Sequence, residues 1–288
     1  MRHYIYATIR IYSKIKGVRM KKIILCFIAL WVYAFGAESY HTKIADTDVY
    51  VLSLLKRPIN PEILIANNEA DKELIAKTYK DKNVKNQQNV MLLKNKDYIA
   101  LIDTGFEHTI NELTEALQAT NVKPSDVTHI IITHGHMDHI GGLLQNDKKT
   151  FPNAKVLIDK KEQEYWLKSD NKKAKNILES LLKDTIFFDA NPIFKGALVV
   201  SPIPAYGHTP GHNLIMLQDM KNSKKLVFWA DLLHAFDVQT KNPDISATYD
   251  IDKEQAAKTR EKFLTQFKKD KTLIVGSHVP FVKPMLLE

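Results

Sequence analysis

Apolar positions along the chain fall into short runs whose spacing switches between two and about 3.6, the periods of strands and helices. Asp48–Leu55 reads as a strand, interrupted by Pro58-Ile59-Asn60-Pro61. Asp71–Lys80 predicts a short amphipathic helix with Leu74, Ile75 and Tyr79 on one side, and the polar Asp81–Asn89 stretch predicts a loop. Val90–Leu93 and Tyr98–Ile102 read as paired strands about a turn at Asn95-Lys96. Helical spacing returns at Ile110, Leu113 and Leu117 and is stopped by Lys123-Pro124. After the apolar run His129–Thr133, Ala154–Ile158 predicts a strand and the charged Lys160–Lys183 a helix with Trp166 midway. Strands recur over Thr185–Phe188, Leu198–Ile203, Leu214–Leu217 and Leu226–Trp229. Lys253–Phe267 predicts a long helix with Ala256, Ala257, Phe263, Leu264 and Phe267 as its apolar stripe. This alternation of elements, without a repeat at solenoid spacing, gives an α/β domain and no more.

The first 37 residues read differently. Met20-Lys21-Lys22 precedes the apolar stretch Ile23–Phe35, and the small residues Gly36 and Ala37 follow, which is the order of regions in a secretory signal. At 13 residues the stretch is short for a bilayer span of about 20 residues. We therefore expect residues 1–37 to be a leader with Met20 as the true start, and residues 38–288 to be the mature domain, exported to the periplasm or secreted. Cys26, the only cysteine, lies in the leader.

Charge changes meaning once the leader is set apart. The whole chain carries 41 Lys and Arg against 33 Asp and Glu, but residues 1–36 hold seven of the basic residues and no acidic one. The body is left at 34 against 33, so it advertises no nucleic-acid channel. The expected partner is a small molecule, with a membrane involved only through an uncleaved leader. Nothing in the sequence sets an oligomeric state.

Candidate chemistry concentrates in His134-Gly-His136-Met-Asp138-His139. A catalytic zinc-like ion takes about three protein ligands and keeps one position open, so four potential ligands in six residues point to two ions and to partners elsewhere. In sheet-based folds such partners stand where a buried strand runs out into a loop. Three places qualify: Gly207-His208 after Ala197–Tyr206, Asp231 after Lys225–Ala230, and His278 after Thr272–Ser277. Together these supply five His and two Asp, enough for two ions if one carboxylate bridges. Nitrogen and oxygen donors without sulfur suit zinc first, and also manganese, cobalt or iron. Read without such partners, His208 and His278 are ordinary loop histidines, and Asp231 fits a helix N-cap.

With these residues in place, the chain resembles the metallo-β-lactamase superfamily. The match reads Asp103-Thr104-Gly105, Thr133-His-x-His-x-Asp-His139, Gly207-His-Thr-Pro-Gly-His212, Asp231 and His278, over roughly residues 48–288. Phe151-Pro-Asn-Ala154, Lys161-Glu with Tyr165-Trp166-Leu167, and Asp231-Leu-Leu-His with Val238-Gln239 look most like the methyl parathion hydrolase and lactonase-like branch. The resemblance implies a four-layer αββα sandwich. It implies His134, His136 and His208 for the first metal, Asp138, His139 and His278 for the second, and Asp231 between them. Ala230 departs from the glycine usual before this Asp.

The activity so implied is hydrolysis of a small neutral ester-like substrate (lactone, aryl ester or phosphotriester) by a metal-bridging hydroxide, with Asp138 receiving the proton. β-Lactamase activity, or metal binding without turnover, are the alternatives. Asp103 is expected to orient a ligand from behind or simply to form a turn, and His212 to support a ligand or stabilise its turn. Trp166 is expected as a pocket wall or core filler, and His234 at the pocket edge.

Overall fold

A computed structural model describes residues 38–80, 84–188 and 191–288. The expected leader lies outside them. Two sheets form the framework. The first has seven strands in the order β1 (Ser39–Ile44), β2 (Thr47–Pro58), β3 (Lys85–Lys94), β4 (Ile99–Ile102), β5 (His129–Ile131), β6 (Lys155–Asp159) and β7 (Thr185–Phe188). The second has four, β8 (Leu198–Pro204), β9 (Asn213–Asp219), β10 (Lys225–Phe228) and β11 (Leu273–Val275). The helices are α1 (Glu69–Thr78), α2 (Ile110–Ala119), the single turn α3 (Met137–Ile140), α4 (Lys160–Lys168), α5 (Lys172–Ser180), α6 (Phe236–Gln239) and α7 (Lys253–Lys269).

The continuous apolar runs of β3, β4 and β5 follow from burial of both faces of the first sheet. Met91, Leu93, Ile102 and Ile131 point into a core shared with Leu214, Leu217 and Leu226 of the second sheet. Their neighbours Val90, Leu92, Leu101 and Ile130 point the other way, to Leu113 and Leu117 of α2 and Ile177 and Leu178 of α5. Each such leucine contributes about 1.5–3 kcal/mol by leaving water. Helix α7 adds Phe263 and Phe267 to the inter-sheet core. The layers are therefore helix, sheet, sheet, helix, as the resemblance implied.

Strand direction places the site. Strands β4, β5 and β6 run parallel, with Ile102 opposite Ile131, so Asp103 and the residues after Ile131 leave the sheet at the same edge. Strands β10 and β11 are also parallel, with Phe228 opposite Val275, and deliver Asp231 and His278 together. Asn213 N donates to Thr133 O at 3.0 Å and ties the strand ends of the two sheets.

Two expectations need correction. Of the loop predicted over Asp81–Asn89, residues 81–83 lie outside the described residues, and Lys85–Asn89 is strand, pairing with Ser53–Pro58 of β2. The polar Gln87, Gln88 and Asn89 misled the pattern because they are buried for a purpose: Asn89 Nδ2 donates to Gly276 O and Phe281 O, both at 3.1 Å. The single helix predicted over Lys160–Lys183 is two. Ser169 Oγ donates to Trp166 O and closes α4, and the Asn171 side chain accepts from Ala174 N and starts α5.

Candidate metal centre

All seven expected ligands meet at one place. One donor atom each from His134, His136, His208 and Asp231 falls within 4.8 Å of the others, and the same holds for Asp138, His139, Asp231 and His278. Asp231 belongs to both groups. In the first group His134 Nε2, His136 Nδ1 and His208 Nε2 form a triangle with sides of 3.1, 2.9 and 3.2 Å. A tetrahedral ion with bonds of 2.0–2.1 Å spaces its ligands by roughly 3.3 Å, so the triangle has the dimensions of one face of such a site. In the second group His278 Nε2 lies 3.0 Å from Asp138 Oδ2 and 3.3 Å from Asp231 Oδ2. His139 Nε2 and Asp231 Oδ1 face each other at 3.1 Å, yet both are buried outside hydrogen-bonding geometry. Buried polar atoms without partners are costly, and a cation between them would satisfy both. On these grounds the residues fit two divalent ions.

A layer of supporting groups fixes the ligands. Asp103 accepts from Thr133 N and Thr133 Oγ1 and from His139 Nδ1 at 2.7 Å, which leaves His139 Nε2 turned to the centre. Its backbone is left-handed, φ 60°, which aspartate tolerates better than most residues. His212 Nδ1 donates to Ala205 O at 3.0 Å, so its Nε2 accepts from Asp231 N at 3.3 Å. His212 therefore holds the backbone of Asp231 and stays out of both ligand groups. Ala230 adopts φ 49°, which is why a glycine is expected there. His234 Nε2 approaches Asp231 Oδ2 at 3.1 Å, and its ring stacks on His278 at 5.3 Å.

Trp166 stands behind the motif instead of in the cavity wall. It is 6% exposed, and a Cβ added to Gly135 would meet its indole at 2.3 Å, so only glycine fits between the two ligand histidines. Gly142 does similar service against Thr104, whose carbonyl oxygen would lie 2.2 Å from an added Cβ, so this glycine faces the Asp103 turn and not the ligand histidines.

Sequence reasoning missed three buried partners. Glu162 accepts from Gly135 N at 2.7 Å, Gly211 N at 2.8 Å, Thr209 Oγ1 at 2.6 Å and Trp166 Nε1, joining the His134–His136 loop to the His208 loop. Asp250 accepts from His208 Nδ1 at 2.9 Å, and Arg260 Nη2 donates to Asp250 at 2.9 Å. Arg260 did leave a signal, since it lies on the apolar stripe of α7 between Ala256 and Phe263. Glu162 shares a face of α4 with Trp166, one turn away.

Electrostatics follow from burial. Desolvation holds His134 and His208 well below the ordinary imidazole pKa and lowers His136 and His212 to about 4. These rings are neutral near pH 7 and offer lone pairs. Burial also lowers His139 and His278, but Asp231 and Asp138 outweigh it, and His278 is pushed up to about 10. Burial alone would raise Asp138, Asp231 and Asp250, yet the surrounding histidines hold all three below the carboxylate range. Burial pushes the Glu162 carboxyl up. Three of its four partners are N–H groups that can only donate and favour the ionised form, and a proton would fit only on Oε2, against the Thr209 hydroxyl.

A cavity of about 550 Å³ opens beside the cluster, with His136, Asp138, Asp231, His234 and His278 at one end and Ile59, Ile63, Phe106, Met137 and Tyr249 as apolar walls. His234 is among the residues that line it.

Comparison with known proteins agrees with this architecture. A lactonase described as "AidC, a Dizinc Quorum-Quenching Lactonase", solved with a product, superposes with a TM-score of 0.77 at 25% identity over 87% of this chain and 93% of that one. A hydrolase of the β-lactamase superfamily, AbOPH, gives 0.74 at 25% identity over 88% and 94%. Among curated relatives, metallo-beta-lactamase domain-containing protein 1 of Xenopus laevis is 41% identical over 58 residues, 20% of this chain and 23% of that protein. An N-acyl homoserine lactonase of Bacillus cereus is 28% identical over 122 residues, 41% and 43% of the two chains. The chain thus spans less than half the length of these two curated relatives. The model of the Metallo-beta-lactamase superfamily matches residues 84–278, from the residue before β3 to the last of the seven clustered residues, and places this chain in that superfamily.

Proposed function

We propose that the chain is a binuclear metal-dependent hydrolase of small ester-like molecules, with a lactone ahead of an aryl ester and a phosphotriester. The observation that carries this reading is the pair of four-residue donor groups sharing Asp231 at the end of the apolar-walled cavity. The seven clustered residues would hold two divalent ions, zinc first. Such ions, when bound, supply Lewis acidity to the scissile oxygen and lower the pKa of a water to about 7. The chain's own residues do the rest. Asp138 is ionised at neutral pH and opens on the cavity, and it takes the proton released as water is consumed. His278 and His139 restrain its carboxylate, while Ile59, Ile63 and Met137 exclude bulk water from the reacting group. The lactonase named among the superposed structures supports the lactone choice by likeness.

The test is a screen of the purified, metal-loaded chain against lactones, aryl esters, phosphotriesters and β-lactams, with metal content measured beside it. Two ions per chain, one lost in each of His136→Ala and His278→Ala, are expected. A stoichiometry of one that neither change alters would overturn the binuclear reading, and turnover of β-lactams alone would overturn the substrate class. The phosphotriester arm decides how near the activity lies to the methyl parathion hydrolase branch. Residues 1–37 are proposed to export the domain; protein recovered from the export compartment should begin at Ala37 or Glu38 by intact mass.

A further inference from the structure

Arg57 stands where two cavities join. It lines the cavity beside the cluster and, with Pro58 and Asn86, also a neighbouring one of about 290 Å³ that adds Lys56, Lys85 and Glu38. Its place is set by strand register, because Arg57 pairs with Asn86 across β2 and β3, and Asn86 Nδ2 donates to His234 O at 3.2 Å. The guanidinium is therefore carried by a sheet strand whose partner is fastened to the loop behind Asp231.

Local charge at this junction differs from that of the body. Lys56 is neutralised by Glu38 at 2.5 Å, but among the described residues no carboxylate pairs with Arg57 or Lys85. The two acids of the first cavity, Asp138 and Asp231, are engaged by His278 and His139. Among the described residues, two cations without a carboxylate partner thus line the neighbouring cavity, Arg57 lining the first as well, in a body whose acidic and basic residues otherwise balance. Guanidinium presents a planar fork that matches a carboxylate. A cavity of this volume also accommodates a ligand that reaches from the cluster to Arg57.

We propose that the cleft selects substrates bearing one carboxylate several bonds from the scissile linkage, with Arg57 as the residue that recognises it and Lys85 adding charge. The inference rests on the hydrolase reading and narrows it. The near-neutral body argues against polyanions, whereas this cleft suits a single negative group.

Matched probes test it on the metal-loaded chain: the mono-aryl ester of a short dicarboxylic acid against its carboxamide, and the non-hydrolysable aryl ethers of both. Wild type should prefer the carboxylate ester by roughly tenfold or more in kcat/KM, carried by KM, as a charge-assisted pair implies. The ether pair should show the same ratio by calorimetry. Arg57→Gln should bring both ratios close to one, and Arg57→Glu should invert them; because the readout is a ratio, a general loss of activity cannot imitate it. Equal binding of the two ethers to wild type, or no binding of the carboxylate ether at millimolar concentration, overturns the proposal. So does a preference that survives Arg57→Gln and vanishes on chelation, which would put the carboxylate on the ions. Ether discrimination without turnover of any ester would instead overturn the hydrolase reading and leave the Arg57 site standing.

Discussion

Replacing Glu162 with Gln keeps the size of the side chain and changes only what its two terminal atoms can do. Oε1 accepts from Gly135 N and Trp166 Nε1, and Oε2 from Thr209 Oγ1 and Gly211 N. A glutamine nitrogen at the first position confronts two N–H donors that cannot reverse. At the second, Thr209 can rotate its hydroxyl to accept, but Gly211 N is stranded. The second arrangement is the cheaper. It leaves one buried N–H without a partner, about 1–3 kcal/mol, and removes the charge from the surviving bonds. We expect a loss of about 2–4 kcal/mol. For a domain of this size that lowers Tm by roughly 4–16 °C. The damage should not stay local, because Gly135 separates two ligands of the first group and Gly211 follows the third. Metal content should therefore fall toward one ion per chain under dialysis, with the second group retained. Thermal unfolding by circular dichroism and metal analysis of the same samples provide the test. A Tm within about 2 °C of wild type, with both ions retained, would refute the view that this carboxylate fastens the two loops.

Other expectations follow from the same contacts. Asp231→Asn should cost activity roughly 100-fold or more while circular dichroism stays native, since the residue lies in the turn after β10 and the change keeps its size; near-normal turnover would contradict its place in both groups. Arg260→Met should destabilise by about 3–5 kcal/mol in denaturant titration, because it leaves the buried Asp250 carboxylate facing only His208 and Ala247 N and strips donors from Leu232 O and Pro243 O. In the chelated protein, His136 and His212, lowered to about 4 when folded, contribute stability that is complete above about pH 6.5 and lost as pH falls through 4. His134 and His208 act in the same direction. His278, raised to about 10, acts oppositely and loses its contribution only as pH rises through that value. Four rings against two, His278 and His139, make the acid side the weaker, so Tm should drop between pH 6.5 and 4; a flat profile would contradict the burial of these rings.

Local chemistry made much of this protein legible without coordinates. Val90–Leu93, Ile130–Ile132 and Leu226–Trp229 are apolar at consecutive positions, as strands buried on both faces require, and the His134–His139 motif follows the second of these runs and Asp231 the third. Period-3.6 stripes marked α2 and α7 for the same reason. Spacing could not decide which side chains support the ligands. Gln88 and Asn89 are polar and read as loop, yet they sit in a central strand because Asn89 fastens the turn before His278 and Gln88 Nε2 donates to Asp138 O. Glu162, Asp250 and Arg260 look like ordinary helix and turn charges until packing buries them beneath 3% exposure and turns their charge inward. Such roles depend on contacts between residues 27 to 49 positions apart for Glu162 and 42 apart for Asp250 and His208. The sequence alone determined which residues could bind metal, because donor chemistry belongs to the side chain. Only the tertiary structure decided how they are grouped and held, because grouping depends on which strand ends meet.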